Sequence, residues 1–420
     1  LEGREVYTKD FALSAWKLLP NGLREKQVFV ETDPIVSVVA AVTPDAVAAR
    51  HHLHQNPELS HQERETAAFV AEKLRALGLD SVQTDVGGYG ILAELRGAAG
   101  GPTFALRADM DALPIREENE LPYASCRPGV MHACGHDGHT AILLGAAAAL
   151  AQMRERVRGT VRFVFQPAEE TVGGARGMCE AGALNGVSAI VALHGWPGMK
   201  VGQIGVRPGP MMASSDTFDI VVRGRGAHAA MPQISIDPVV VAAQIVLALQ
   251  TLSSREVSPV EPVVVTVAQI HAGTAYNVIP EFAELKGTVR CLSKSLREEM
   301  PQRIERIARN LCAAFRAECD FTYRYGTGVT VNDATINALV EQVGRETLGE
   351  SNVVALESPS LGAEDFGVFL DYVPGAMFRL GVGAETPPLH TPRYNFGDAA
   401  VPRGIELFTR ITLRYLDSHS

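Results

Sequence analysis

The eight residues His132-Ala133-Cys134-Gly135-His136-Asp137-Gly138-His139 carry five side chains able to bind a metal ion. Thiolate, imidazole and carboxylate at that density serve ligation better than packing, because each buried polar group needs a partner. Further along, Phe165-Gln166-Pro167-Ala168-Glu169-Glu170 offers paired carboxylates, and His194 and His390 stand apart in the chain. Such a set suits metal-dependent hydrolysis, in which cations polarise a carbonyl and a carboxylate moves a proton. Taken singly, Cys134 reads as an inert buried thiol, and His194 or His390 as a hydrogen-bonded structural histidine. Only the set points to metal. For His132, Asp137 and His139, loop hydrogen bonds and helix capping compete with ligation.

Positioning these residues requires a layered fold. Ser60 with Glu63 matches a capping box ahead of a periodic run at 66–77, which Gly78 ends. Strand-like runs at 104–107, 161–165 and 189–193 alternate with helical runs at 139–152 and 174–181. That alternation implies an α/β sheet with helices on both faces. Asp109, Glu169, Glu170 and His194 each fall just past the C-terminal end of a strand, the edge where open α/β sheets bind ligands. A second unit starts near Pro208. Its strands at 218–222, 263–269, 284–290 and 319–325, with helices at 237–252 and 296–315, follow the order β-α-β-β-α-β of a ferredoxin-like sandwich. From about Val331 the α/β pattern resumes. We therefore divide the chain into a catalytic domain, 35–207 with 330–420, an inserted α+β domain, 208–329, and an unassigned extension, 1–34.

The 420 residues are 46% hydrophobic and 20% charged, as in a soluble globular protein of two or three domains. A net charge of −10 disfavours nucleic-acid binding. The longest apolar stretch, 141–153, falls short of the roughly 20 residues of a membrane span and reads as a buried helix. No signal peptide is visible. The six cysteines form no dense framework, which favours a reducing, cytoplasmic setting.

The motifs resemble the M20 family of metallopeptidases, in its amidohydrolase branch. Arg107-Ala108-Asp109-Met110-Asp111-Ala112-Leu113-Pro114, the segment from Met131 to His139, and Gln166-Pro167-Ala168-Glu169-Glu170 carry the resemblance. So do Gly224-Arg225-Gly226-Ala227-His228, Tyr276-Asn277-Val278-Ile279-Pro280, Ala363-Glu364-Asp365-Phe366 and Leu389-His390-Thr391-Pro392. It spans roughly residues 45–418. It implies a zinc-exopeptidase-type (phosphorylase/hydrolase-like) catalytic domain with an inserted ferredoxin-like dimerisation or lid domain.

The resemblance also implies roles. Cys134, His136, Glu170, His194 and His390 would hold two divalent ions, Zn²⁺ or Mn²⁺, and Glu169 would be general base and acid. The peptidase branches carry His-x-Asp where this chain has Asp109 and Asp111, so these two become supporting residues, with Asp111 orienting a ligand histidine. His228 would reach the reaction centre of a partner subunit and help stabilise the tetrahedral oxyanion, Asn277 of the same inserted domain would bind substrate, and Arg290 would clamp a substrate carboxylate through its planar fork. The implied substrate is a small N-acyl amino acid, the implied assembly a homodimer. Closure about crossings near 207–211 and 325–332 would bring Arg290 and His228 to the metals. A dipeptidase or carboxypeptidase is the competing enzyme. A non-catalytic binding module would be expected to lack Glu169 or a ligand, and this chain lacks none.

Overall fold

The structure, a computed structural model, describes residues 33–420 apart from Val172. The expected extension, 1–34, lies outside the described residues except Asp33 and Pro34. Helices α1 (Pro34–Gln55) and α2 (Arg64–Ala76) precede β1 (Ser81–Gln83), β2 (Ile91–Arg96) and β3 (Ala99–Asp109). Then come α3 (His136–Gln152), β4 (Arg158–Gln166), α4 (Gly174–Glu180), β5 (Val187–Pro197) and β6 (Ile204–Val206). The chain crosses out through β7 (Gly209–Met212) into β8 (Ser215–Arg223), β9 (Ala227–His228), α5 (Pro238–Thr251), β10 (Val263–Ala272), β11 (Val278–Ile279), β12 (Phe282–Cys291), α6 (Lys294–Ala314) and β13 (Glu318–Thr327). It returns through β14 (Thr330–Asn332) to α7 (Ala334–Leu348), β15 (Val353–Ala355), α8 (Phe366–Phe369), β16 (Gly375–Gly383) and α9 (Val401–Ser418).

Eight strands form one mixed sheet in the order β1-β2-β4-β3-β5-β16-β6-β15. Its centre, β4-β3-β5-β16, is parallel. Helices α1, α3 and α9 cover one face and α4 and α8 the other. Central parallel strands are buried on both sides, so they read as unbroken apolar runs; in β3 every residue from Phe104 to Asp109 is buried. Four further strands form an antiparallel sheet, β10-β12-β8-β13, which with α5 and α6 has the ferredoxin-like order expected from the sequence. The two crossings pair with each other as β7 and β14, and Asn332 Nδ2 donates to Arg207 O at 2.9 Å.

Three local expectations are corrected. The capping box does not form: Glu63 stands at the N-cap of α2 without a side-chain cap bond. Instead Glu58 accepts the Thr66 N–H at 2.7 Å, and Ser60 Oγ donates to Asp111 Oδ2 at 2.7 Å. His194 lies inside β5 rather than beyond it, because pairing with β16 carries the strand on to Pro197. Finally, α3 begins at His136, three residues early, and Asp137 does not cap it. Gly135 is the N-cap, left-handed at φ 90, where a Cβ would come within 2.7 Å of Tyr394 Oη.

Candidate metal centre

Strand ends and one helix start bring the chemistry together. Strand β3 delivers Asp109, the turn after β4 delivers Glu169 and Glu170, β5 delivers His194, and the start of α3 delivers Cys134 and His136. His390 joins from the segment after β16, held by its N–H to Ala133 O at 2.8 Å. Two residues here, Ala168 (φ 51) and His390 (φ 60), are left-handed without being glycine. That conformation costs roughly 1–2 kcal/mol and persists only where surroundings impose it.

Five side chains present open ligand atoms. His136 donates from Nδ1 to Asp111 O at 2.9 Å and approaches Asp111 Oδ1 at 3.2 Å, leaving Nε2 buried without a hydrogen-bond partner, 3.6 Å from Asp109 Oδ2. His194 donates from Nδ1 to Gly195 O at 2.9 Å, so its Nε2 lone pair faces Cys134 Sγ at 3.4 Å. Glu170 Oε1 is buried without a hydrogen-bond donor, 3.3 Å from His390 Nε2 and 4.0 Å from His136 Nε2. Anchoring one imidazole nitrogen so that the other is a free donor is the usual support of a metal-binding histidine. Electrostatics agree. Burial alone would lower His136, yet Asp109 and Cys134 hold it well above its ordinary value, so Nε2 favours a positive occupant. Burial and the neighbouring His139 keep His194 neutral. Cys134-His136-His194 and Cys134-Glu170-His390 each bring their ligand atoms within 4.8 Å of one another. These soft and borderline donors fit divalent transition-metal ions.

Three nearby candidates, His139, Asp109 and Asp111, are engaged elsewhere. His139 receives the Gly195 N–H at Nε2 (2.7 Å) and binds Asp109 Oδ1 through Nδ1 (2.7 Å). Asp109 spends its other oxygen on Arg107 at 2.8 Å. Asp111 holds His136, Ser60 and the Glu170 N–H. His132 is buried, and neither ring nitrogen has a protein partner.

Glu169 is half-buried as a residue, with its carboxyl end sunk among Glu364, Asp365 and Glu170. Burial first, then the repulsion of those carboxylates, pushes its pKa well above the usual range. Its Oε1 accepts the Asp365 N–H at 3.2 Å. A carboxyl poised to hold or release a proton is suited to general acid–base work.

The structure does not bring His228, Asn277 and Arg290 to this cluster. His228 and Asn277 are exposed neighbours, the Asn277 carbonyl accepting the Ala229 N–H at 3.0 Å beside the β9–β11 pair. Arg290, on β12, donates to Thr288 Oγ1 and Val289 O. Among the described residues no hydrogen bond or ion pair joins any of the three to the ligand set.

A family model described as peptidase family M20/M25/M40 matches residues 105–414. The chain belongs to this family. An N-acetylcysteine deacetylase of Bacillus subtilis is 42% identical over 88% of the chain and 96% of its own length. An N-acyl-L-amino acid amidohydrolase of Geobacillus stearothermophilus is 46% identical over 71% of the chain and 81% of its own. Among solved structures, a protein of Bacillus subtilis described as a dinuclear metal-binding peptidase of the M20 family aligns over 90% of the chain and 99% of its own, with 37% identity and a TM-score of 0.80.

This M20 chain also uses residues that motif reading passed over. Arg107 is fully buried and gathers Asp109, Gln166, Glu364 and Asp365 at 2.8–3.1 Å. Behind the ligand set, Arg50 and His54 both bind Asp137 Oδ2, at 3.1 and 2.9 Å, and His54 also reaches Glu117 at 3.0 Å. Only the chemistry of Arg50 and His54 on the apolar helix α1 hinted at these pairs.

His54 gives a stability prediction. Burial alone would lower it, but Asp137 and Glu117 more than reverse this and raise it to about 9. A raised imidazole contributes stability below its unfolded pKa of about 6.5 and loses it as pH rises through about 9. The advantage of wild type over His54→Gln should therefore shrink by something on the order of 3 kcal/mol across that window. Urea midpoints of both proteins from pH 6 to 10 measure it; a constant difference would mean that the pair carries no linked proton.

Proposed function

We propose that this protein is a metal-dependent amidohydrolase that splits N-acyl amino acids into a carboxylic acid and a free amino acid. The carrying observation is the convergence of Cys134 Sγ, His136 Nε2, His194 Nε2, Glu170 Oε1 and His390 Nε2 beside the proton-holding Glu169. The similarity to the deacetylase and the amidohydrolase supports the substrate class. In this reading the five side chains hold two divalent ions, Zn²⁺ or Mn²⁺. When bound, the ions polarise the scissile carbonyl and acidify the attacking water.

The chain's own groups do the rest. Glu169 takes a proton from the water and delivers it to the amide nitrogen, which leaves as the amine. Asp111 and the Gly195 carbonyl hold His136 and His194 in the required tautomer. Residues 208–329 act as a lid and dimerisation domain on a catalytic domain of 35–207 and 330–420. Arg290 receives the substrate carboxylate, His228 serves the tetrahedral oxyanion of a partner's site, and Asn277 binds substrate. Turnover of N-acetyl, N-benzoyl and long-chain N-acyl amino acids against a dipeptide panel, with Zn²⁺ or Mn²⁺ supplied, tests the reading. Cleavage of dipeptides alone would make the enzyme a peptidase instead.

The homodimer rests on surface chemistry. Strand β10 is an edge strand with most of its second half exposed, including Ile270 at 55%. Helix α5 exposes Val239, Val240 and, at 66%, Leu247. An unpaired edge beside an apolar helix face favours addition of a second copy. Leu247→Glu should shift the wild-type dimer to monomer in sedimentation velocity at micromolar concentration. A monomeric, fully active wild type would remove the dimer and the role of His228 together.

A further inference from the structure

Glu63 spends a buried carboxylate on a distant turn rather than on its own helix. The residue is fully buried. Its N-cap position at α2 gives it local N–H groups to satisfy, yet Glu58 takes the Thr66 N–H and Glu63 makes no cap bond. Glu63 Oε1 instead accepts the Ala168 N–H at 2.7 Å, across 105 positions of chain. Its Oε2 is buried with no donor. Burying a carboxyl group whose second oxygen has no donor is unfavourable unless the bond made by the first fixes something of consequence.

What it fixes is Ala168, the left-handed residue at which the chain turns from β4 towards Glu169 and Glu170. Without a steric preference for this conformation, the peptide entering Ala168 needs an external hold on its orientation, and its N–H is the handle. A rotation there swings the Glu169 carboxyl away from Asp365 N–H. The Glu169–Glu170 peptide is held separately, by Asp111 on the Glu170 N–H, and Asp111 is in turn held by Ser60. One short segment, Ser60 to Glu63, thus supports both halves of the carboxylate pair, with Glu63 serving the proton-carrying half. We propose that Glu63 is a positioning residue for Glu169, acting through the Ala168 peptide. This rests on the amidohydrolase reading above.

The test compares Glu63→Met, Glu63→Gln and Glu63→Asp in the full-length, metal-loaded protein, on whichever amide substrate wild type cleaves. Glutamine keeps an acceptor oxygen in place and should stay within about threefold of wild type. Methionine removes it, and a misplacement of about 1 Å at a reacting group can cost roughly 10²-fold, so kcat should fall on that scale. KM and bound metal should stay put, because ligands and substrate clamp are untouched. In a Glu169→Gln background the same methionine substitution should cost nothing further. Should the methionine variant fail to fold, aspartate, which withdraws the acceptor while keeping a carboxyl group, should show the same kcat loss. Wild-type kcat in the methionine or aspartate variants would overturn the proposal alone, as would loss of metal or a parallel rise in KM. A metal-loaded wild type inert on every amide would overturn the reaction and this role with it.

Discussion

Glu169→Gln is expected to lower kcat by about 10³-fold while leaving the metal content unchanged. Positioned proton transfer contributes roughly 10²–10⁴-fold, and in the proposed mechanism one carboxyl serves both the water and the leaving nitrogen. Glutamine is close in shape and can still accept the Asp365 N–H that Glu169 Oε1 accepts at 3.2 Å. It can neither take nor give the proton. The ligand atoms on Cys134, His136, Glu170, His194 and His390 are not altered, so metal analysis of the purified variant should match wild type. The variant also removes a carboxyl that burial and three neighbouring carboxylates push well above its ordinary pKa. Its unfolding midpoint should therefore be no lower than that of wild type near neutral pH. Activity above a tenth of wild type, with metal retained, would move the proton-transfer role to another group.

How far the sequence carried this reading depends on the range of the interaction. Strand and helix alternation, and the β-α-β-β-α-β order of the insertion, are legible because they depend on periodicity within ten or twenty residues. The ligand cluster around Cys134 and His136 is legible because it is dense in types that rarely pack together. The Ser60–Glu63 spacing misleads for a physical reason. A capping box is a local competition for N–H groups, and Glu58 wins it, while Glu63 finds a partner 105 positions away. His194 seemed to follow a strand because the apolar run stops at Leu193, but hydrogen bonding to β16 carries the strand on to Pro197. Arg107 is the extreme case. Locally it is only a strand residue that opens a motif, and two of its acceptors, Glu364 and Asp365, lie 257 and 258 positions away.

Arg107→Met should be among the most destabilising single substitutions in the described chain, at about 3–5 kcal/mol, the usual cost of removing one partner from a buried ion pair. The guanidinium has no exposed surface, and its acceptors are nearly as buried. Methionine fills much of the volume, so the loss is electrostatic rather than a cavity. Three carboxylates, Asp109, Glu364 and Asp365, would share a dry site without the guanidinium between them. The cost should depend on pH in a definite direction. Burial raises Asp365 to about 8 even though Arg107 opposes the shift. A carboxyl raised in the folded state contributes its stability below an unfolded pKa near 4 and loses it as pH rises through about 8. Without Arg107 the Asp365 pKa rises above about 8, so both proteins lose stability in parallel up to that pH, and above it wild type levels off while the variant goes on losing, so that it should fall further behind as pH rises past about 8. Activity should fall with stability, because the Asp365 N–H that holds Glu169 belongs to the same loop. Urea unfolding of both proteins near pH 6 and near pH 9.5 reads this out, and a penalty that is equal at both would show that Asp365 does not rely on the guanidinium for its charge.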